Sequence, residues 1–497
     1  TDDDATHISQ PVQIYSSASG SAMGTAAPDT DDDAEADEEP EADVTPPPPA
    51  DDTPARGGLV PTWELRLGAD ASGTDLAIDG DGATYVVGRT DGAITSDQEH
   101  QGKSDAFVAR ITPEGELDWA TQFGTADRDQ AEVILFDGES LLVAGRTRGS
   151  LYGDMAPDSN DSIVSWSPED IWLARYATDG TLEWSAQLGL VEQYSLHGLD
   201  VVTDADGNIY MTFTTMGHLP GSEDLDEIDL SRVNIGLAKC DAEGTLLWTK
   251  CIGSDGYDYA GELQIADDGT LYIVGLSSGE WDTPVEANGY LNVLIVAVDS
   301  AGEQLWARTY GSAEAEVESV ADACLATNGD IYITGYSKGD FAGDVDEDVD
   351  LTGYLLALDA DGEWLWIDAI ASEGYSLPAA LTLNADGAIV VMGTTIDANG
   401  DDRQLFAMQY DGEGTRTAEV AIAGDDYYPT VERIALDTAN GVLHTAGSAA
   451  KTNENSWEFV ATAIEYPFPA EPEEALEDPT PETGPPVAPD LPPAEKE

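Results

Sequence analysis

The chain has three cysteines in 497 residues, too few for a disulfide framework. Cations are also scarce: 19 Lys and Arg stand against 99 Asp and Glu, a formal charge of -80. A polyanion gains no counterion release from another polyanion, so nucleic acid and anionic membrane surfaces are poor partners. No apolar run approaches the roughly 20 residues that span a bilayer as a helix. None of His7, His100, His197, His218 and His444 has a second His or Cys at metal-ligand spacing, which leaves no zinc site. No Gly-rich phosphate loop opens a helix, and no catalytic constellation stands out among so many carboxylates. What remains is 41% apolar residues, enough to bury a large core without staples.

The acidity is not confined to the ends. Residues 1–60 hold 15 acidic and 1 basic residue, residues 467–497 hold 9 and 1, and residues 61–466 still carry a charge of -58. Self-repulsion on that scale is tolerable where salt screens it, the Debye length falling to about 3 Å at 1 M. A saline habitat and an extracellular or cell-envelope location, on the surface or in the periplasm, are therefore expected; a solubilising surface is the plainer alternative. The chain opens at Thr1 with no apolar leader, so the expectation is that any secretory signal has been removed or lies outside this sequence. Residues 1–60 and 467–497, rich in Asp, Glu and Pro, cannot bury enough apolar surface to offset chain entropy and read as disordered spacers.

Between them, residues 61–466 repeat. Trp63, Trp119, Trp184, Trp248, Trp306 and Trp366 recur at spacings of 56, 65, 64, 58 and 60, with Thr417 in the next such place. Five residues after the Trp comes Gly68, Gly124, Gly189, Gly253 or Gly311, and Ala371 in the sixth unit. A second column ends in Gly88, Gly145, Gly275, Gly335, Gly393 and Gly447, with Phe213 in its place in unit three. A third column is Ala109, Ala174, Ala238, Ala297, Ala357, Ala407 and Ala461. Each unit has four short segments rich in β-branched and aromatic residues, separated by Asp/Gly turns in which Gly supplies a positive φ. In the first unit they are 75–79, 84–89, 105–111 and 116–123. Four antiparallel strands repeated seven times predict an all-β, single seven-bladed β-propeller. The region starts with a lone Trp strand at 62–67 and ends on a third strand at 458–465, so the N-terminal strand is expected to complete the last blade and close the ring. The Trp and Ala columns are expected to be packing positions.

At Trp119, Gly124, Asp81-Gly82-Ala83-Thr84-Tyr85 and Phe107-Val108-Ala109 the chain resembles the SBBP-type bacterial β-propeller repeats. That resemblance covers residues 61–466 and implies a cell-surface or exported protein. The stretch from Ala109 through Gly115 to Trp119 also resembles the tryptophan-docking motif of quinoprotein propellers, although the adjacent Cys pair of that family has no counterpart here.

Loop lengths indicate where function would sit. Turns between strands one and two and between three and four are short, whereas the other connections are long and emerge on the opposite face, the usual place for binding loops. The blade-linking loops there carry Tyr194, Asp255, Tyr257, Asp258, Tyr259, Tyr375, Asp425, Asp426, Tyr427 and Tyr428, and the longest loop, 148–169, includes Trp166. Tyr with Asp suits stacking and hydrogen bonding to a sugar, or a cation; simple solvation of the rim is the alternative. Asp344, Asp346, Asp348 and Asp350 at every second position form a candidate calcium loop, or else a solvated acidic loop; no cofactor is otherwise required. Cys240 and Cys251 lie too far apart along one hairpin for a bridge and, with Cys324, read as small buried hydrophobes. The leading functional expectation is a monomeric, non-enzymatic binding or scaffold module for a protein or polysaccharide, tethered to the envelope by its acidic N-terminal linker. A carbohydrate-active hydrolase or lyase and a stalk without a ligand are the alternatives.

Overall fold

The computed structural model describes residues 61–68, 70–153, 169–189, 196–216, 219, 232–281, 291–312, 317–338, 341, 351–370, 374–396, 403–422, 428–450, 457–466 and 468. Among them there is no helix, hence none long and apolar enough to cross a membrane. The strands assemble into seven antiparallel sheets, each built from neighbours in sequence except the last, and the architecture is the seven-bladed propeller expected. The first blade runs through 71–78, 84–90, 105–111 and 117–123. Its inner strand begins four residues before the expected point, because a bulge between Gly73 and Asp75 lets pairing continue to Ala71 opposite Thr90. In blade five the inner strand is split into Val317–Glu318 and Asp322–Leu325, both pairing with the second strand.

Closure takes the form the repeat phase dictates. Trp63–Leu67 pairs antiparallel with Trp457–Glu465, Trp63 opposite Ala463 and Leu67 opposite Phe459. The N-terminal strand thereby covers an edge that would otherwise present free N–H and C=O groups. Thr62 extends the seam, its backbone N–H and hydroxyl both donating to the Ala463 carbonyl.

The Trp column ties the circumference together. Each of the six indoles packs on the turn glycine between strands three and four of the following blade: Trp63 on Gly115, Trp119 on Gly180, Trp184 on Gly244, Trp248 on Gly302, Trp306 on Gly362 and Trp366 on Gly414. Those glycines hold φ of +74 to +85°, and a Cβ at Gly180 would fall 3.0 Å from the Trp119 ring, so both the turn and the indole require glycine there. Trp63, Trp119 and Trp366 also donate their ring N–H to the carbonyls of Pro113, Thr178 and Gly412 in those turns, at 3.0–3.1 Å. The first Asp of each Asp-x-x-Gly turn accepts backbone N–H groups, as Asp79 does from Asp81 and Ala83, confirming their hairpin role.

The register revises two columns. The Trp place of blade six is occupied by Ala418, which pairs with Gln409 as Trp119 pairs with Arg110; Thr417 is the bulged residue beside it. The Ala column is not one structural position. Ala109, Ala174 and Ala238 sit one residue before the partner of the Trp, whereas Ala297 and Ala357 are themselves that partner, and Ala407 and Ala461 lie one residue further from it. One step along a strand turns the side chain to the other face, so the seven alanines, all fully buried, do not share one contact. The departure of unit three has a simple origin. Gly88 faces Phe107, Gly145 faces Trp172, Gly335 faces Tyr354 and Gly393 faces Phe406, while in blade three the pair is exchanged and Phe213 faces Gly236. One strand supplies the ring and the other supplies room for it.

Candidate functional site

The described residues expose three regions with concentrated polar chemistry: the long-loop face, a groove on the short-turn face, and the ring axis. On the long-loop face the sequence candidates divide. Tyr257 is 42% exposed, and Asp255 beside it is exposed too. Their loop is pinned from the neighbouring loop: Tyr257 accepts the Ser278 N–H at 2.9 Å and its own N–H donates to Ser278 Oγ, while Asp255 accepts the Glu280 N–H at 3.2 Å. The Arg232 guanidinium lies 5.7 Å from the Tyr257 ring.

Asp258, expected at the rim, is instead fully buried. Its carboxylate accepts from the N–H and hydroxyl of Ser254, the hydroxyl of Ser277 and the indole N–H of Trp281. Position decides this: Asp258 opens the inner strand, where its side chain points back under the loop and binds it. Asp129 does the same in blade two, holding Thr125 and Thr147, and burial pushes its carboxyl above the usual carboxylate range. Tyr259 and Tyr375 are half-buried near the starts of inner strands. Tyr194, Asp425, Asp426, Tyr427, Trp166 and the Asp344, Asp346, Asp348, Asp350 run lie outside the described residues, as do the side-chain surroundings of Tyr428. Cys240 pairs with Leu246 and Cys251 with Gly236, both thiols free and raised by burial, to about 12 and about 11.

The short-turn face carries a groove of about 740 Å³ between blades one and two, which the sequence reading missed. Asp79, Asp81, Asp118, Glu139 and Asp179 surround it, with Tyr85 and Phe136 stacked 6.0 Å apart as its apolar wall. Arg110 reaches in, donating to Asp118 at 2.6 Å and to the Tyr85 hydroxyl at 3.1 Å.

The axis holds the residues least expected from the repeat. Arg433, on the inner strand of blade seven (Tyr428–Asp437), lies 2.8 Å from Glu262 of blade four, 3.4 Å from Asp322 of blade five and 3.9 Å from Asp75 of blade one. A contact between the fourth and seventh of seven blades is made only across the ring centre. Asp200 of blade three adds to the field on Arg433, whose guanidinium is held charged far above its ordinary range by these acids against the cost of burial. The aspartates have a second task. Asp75 accepts the N–H of Ile134 in blade two, Asp200 that of Leu263 in blade four and Asp322 that of Leu381 in blade six, at 2.7–2.8 Å, so each clamps the next blade's inner strand. Burial raises Asp75 to about 6 despite Arg433, and raises Asp200 and Asp322 as well. Superposing the first strands of the units would have found this set: at one bulge position stand Asp75, Val133, Asp200, Glu262, Asp322, Ala380 and Arg433.

No protein-family model matches the chain. The regulatory protein FlaEY of Caulobacter vibrioides is 28% identical over 190 residues, which are 36% of this chain and 18% of that protein, so the chain covers under a fifth of its length. Among solved structures, the Pan2 WD40 domain of Neurospora crassa matches 80% of this chain and 95% of its own, at 11% identity and a TM-score of 0.43. The β-propeller domain of the Trilobed protease from Pyrococcus furiosus matches 83% of this chain and 99% of its own, at 10% identity and a TM-score of 0.44.

Proposed function

We propose that the protein is a non-enzymatic binding module of the cell envelope or exterior, engaging a polysaccharide or protein on its long-loop face. The observation that carries this reading is Tyr257. A tyrosine 42% exposed is held beside Asp255 by backbone hydrogen bonds to the adjoining loop, on a ring whose buried aspartates fix the loop from below. A rigid aromatic with a neighbouring carboxylate binds a sugar face or a basic partner at small entropic cost. The acidic, Pro-rich segments at 1–60 and 467–497 fit the role of tethers in a saline medium, where salt screens the charge. Weak single contacts would then be multiplied by tethering.

The test is binding of the full chain to an array of envelope polysaccharides and glycans, alongside Tyr257→Ala and Asp255→Asn, with product analysis of every positive. Saturable binding without product, weakened tenfold or more by Tyr257→Ala, is the expected result. Turnover of a glycan would replace this reading with the carbohydrate-active one. Binding untouched by either change would remove this loop from the site.

A further inference from the structure

The axial cluster does more than join blades. Four carboxylates, Asp75, Asp200, Glu262 and Asp322, surround one guanidinium, Arg433, and the side chains of Asp75, Glu262 and Asp322 are only 10–15% exposed. Fully ionised, the five groups carry three uncompensated negative charges in a narrow, poorly solvated space. The surroundings do not neutralise them. Blade two presents Glu132, already paired with Arg146 at 2.8 Å; blade six presents Ala379 and Ala380; blade seven adds Glu432 beside Arg433; Cys324 follows Asp322 in blade five.

We propose that this cluster is a proton-operated lock: the ring binds protons among Asp75, Asp200 and Asp322 in mild acid, and the inner strands are held together more firmly with those protons than without them. The backbone clamps survive protonation, because a neutral carboxyl keeps a carbonyl oxygen to accept the N–H of Ile134, Leu263 or Leu381. What protonation removes is repulsion among the acids. Burial raises all three aspartates, Asp75 to about 6, above the ~3.8 of an unfolded aspartate. The native state therefore holds more protons than the unfolded state through mildly acidic pH, and stability rises as pH falls through the folded-state values.

The general surface charge pushes in the same direction, so the experiment must separate the two. Urea unfolding of the full chain would be followed from pH 8 to pH 5.5 in 0.1 M and 2 M NaCl, for the wild type, Asp322→Asn, Asp75→Asn and Glu262→Gln. Surface repulsion is screened in 2 M salt; a buried cluster is screened far less. The expected result is an unfolding constant that falls in 2 M NaCl by roughly tenfold per pH unit for each proton taken up. Asp322→Asn and Asp75→Asn should each reduce that slope and be no less stable than wild type at pH 8. A slope that vanishes in 2 M NaCl, or one unchanged in every variant that folds, overturns the proposal. Glu262→Gln guards against failure of the aspartate variants to fold: it removes one charge without touching a clamp, and must also flatten the profile.

Discussion

The outer circumference and the axis of this ring are built on opposite rules. On the outside one interaction recurs six times, an indole on the turn glycine of the next blade, and burial of apolar surface does the work. At the axis the blades are not alike, and charge does the work: three aspartates, a glutamate and one arginine, from five of the seven blades, meet where the outside would have placed copies of one residue. Repetition suits an architecture in which every blade must meet its neighbour alike. Only at the centre do all seven blades converge, so only there can unlike residues from distant repeats form a single site.

The ring seam tests the outer rule most severely. Removing residues 1–68 takes away Trp63–Leu67, uncovers the edge of Trp457–Glu465 and strips the Trp63 indole from Gly115. Loss of the cooperative native state is expected, seen as a broad unfolding transition and a shift to larger species by size-exclusion chromatography. A single circumferential tie costs less. Trp119→Ala should lower stability by about 3 kcal/mol in urea unfolding, since it deletes both the packing on Gly180 and the bond to the Thr178 carbonyl. The same substitution at Trp366 should cost a similar amount; values differing several-fold would mean that the repeats are not equivalent in energy.

The seam and the axis should also part company in acid. His444, in blade seven, occupies the place that Tyr85 holds in blade one: its ring meets Trp63 at 5.8 Å as Tyr85 meets Trp119 at 6.3 Å, and its Nδ1 shares a hydrogen bond with Thr84 across the closure. Burial lowers its pKa from 6.5 to about 4. The unfolded chain thus binds the proton first, and stability is lost as pH falls from about 6.5 to about 4, by up to ~3 kcal/mol. The axis gains through the whole of that range, down to the ~3.8 of an unfolded aspartate, so the seam offsets part of that gain rather than reversing it. His444→Gln should therefore steepen the rise in stability between pH 6.5 and pH 4. A profile unchanged by that substitution would show that the seam does not titrate.

Seven blades, the four-strand unit, the closing strand and the structural role of the tryptophans were all legible, because each follows from spacing, and spacing survives in sequence. The alanines are buried packing positions as expected, but their column is not one structural position, for the same reason. Bulges and loop lengths differ between units, so residues at similar intervals, such as Ala238 and Ala297, land on opposite faces of their sheets. Asp258 looked like a rim ligand from its loop context and turned inward, since exposure of a strand-opening residue depends on the pleat. The axial set escaped because no short motif holds it. Asp75 and Arg433 are 358 residues apart, and only the ring brings them to 3.9 Å.

The absence of a Trp from blade six has a structural cause that can itself be tested. A tryptophan in blade six would dock on the turn between strands three and four of blade seven, but that turn does not exist, because the fourth strand there arrives from the N-terminus. The space is filled by the outgoing chain instead: Tyr466 donates to Gln409, the partner of Ala418, at 2.7 Å, and Tyr466 and Phe468 pack into the blade-six and blade-seven core. Ala418→Trp should therefore gain nothing and, by crowding Tyr466, lose up to about 1 kcal/mol in urea unfolding. A gain of the ~3 kcal/mol assigned above to Trp119 would mean that the indole stabilises its own blade and that the turn glycine is incidental. If the Tyr466→Ala chain instead recovers stability on adding Ala418→Trp, the two aromatic groups compete for one space, and the unit that lacks its Trp is the one whose neighbour the closing strand has already completed.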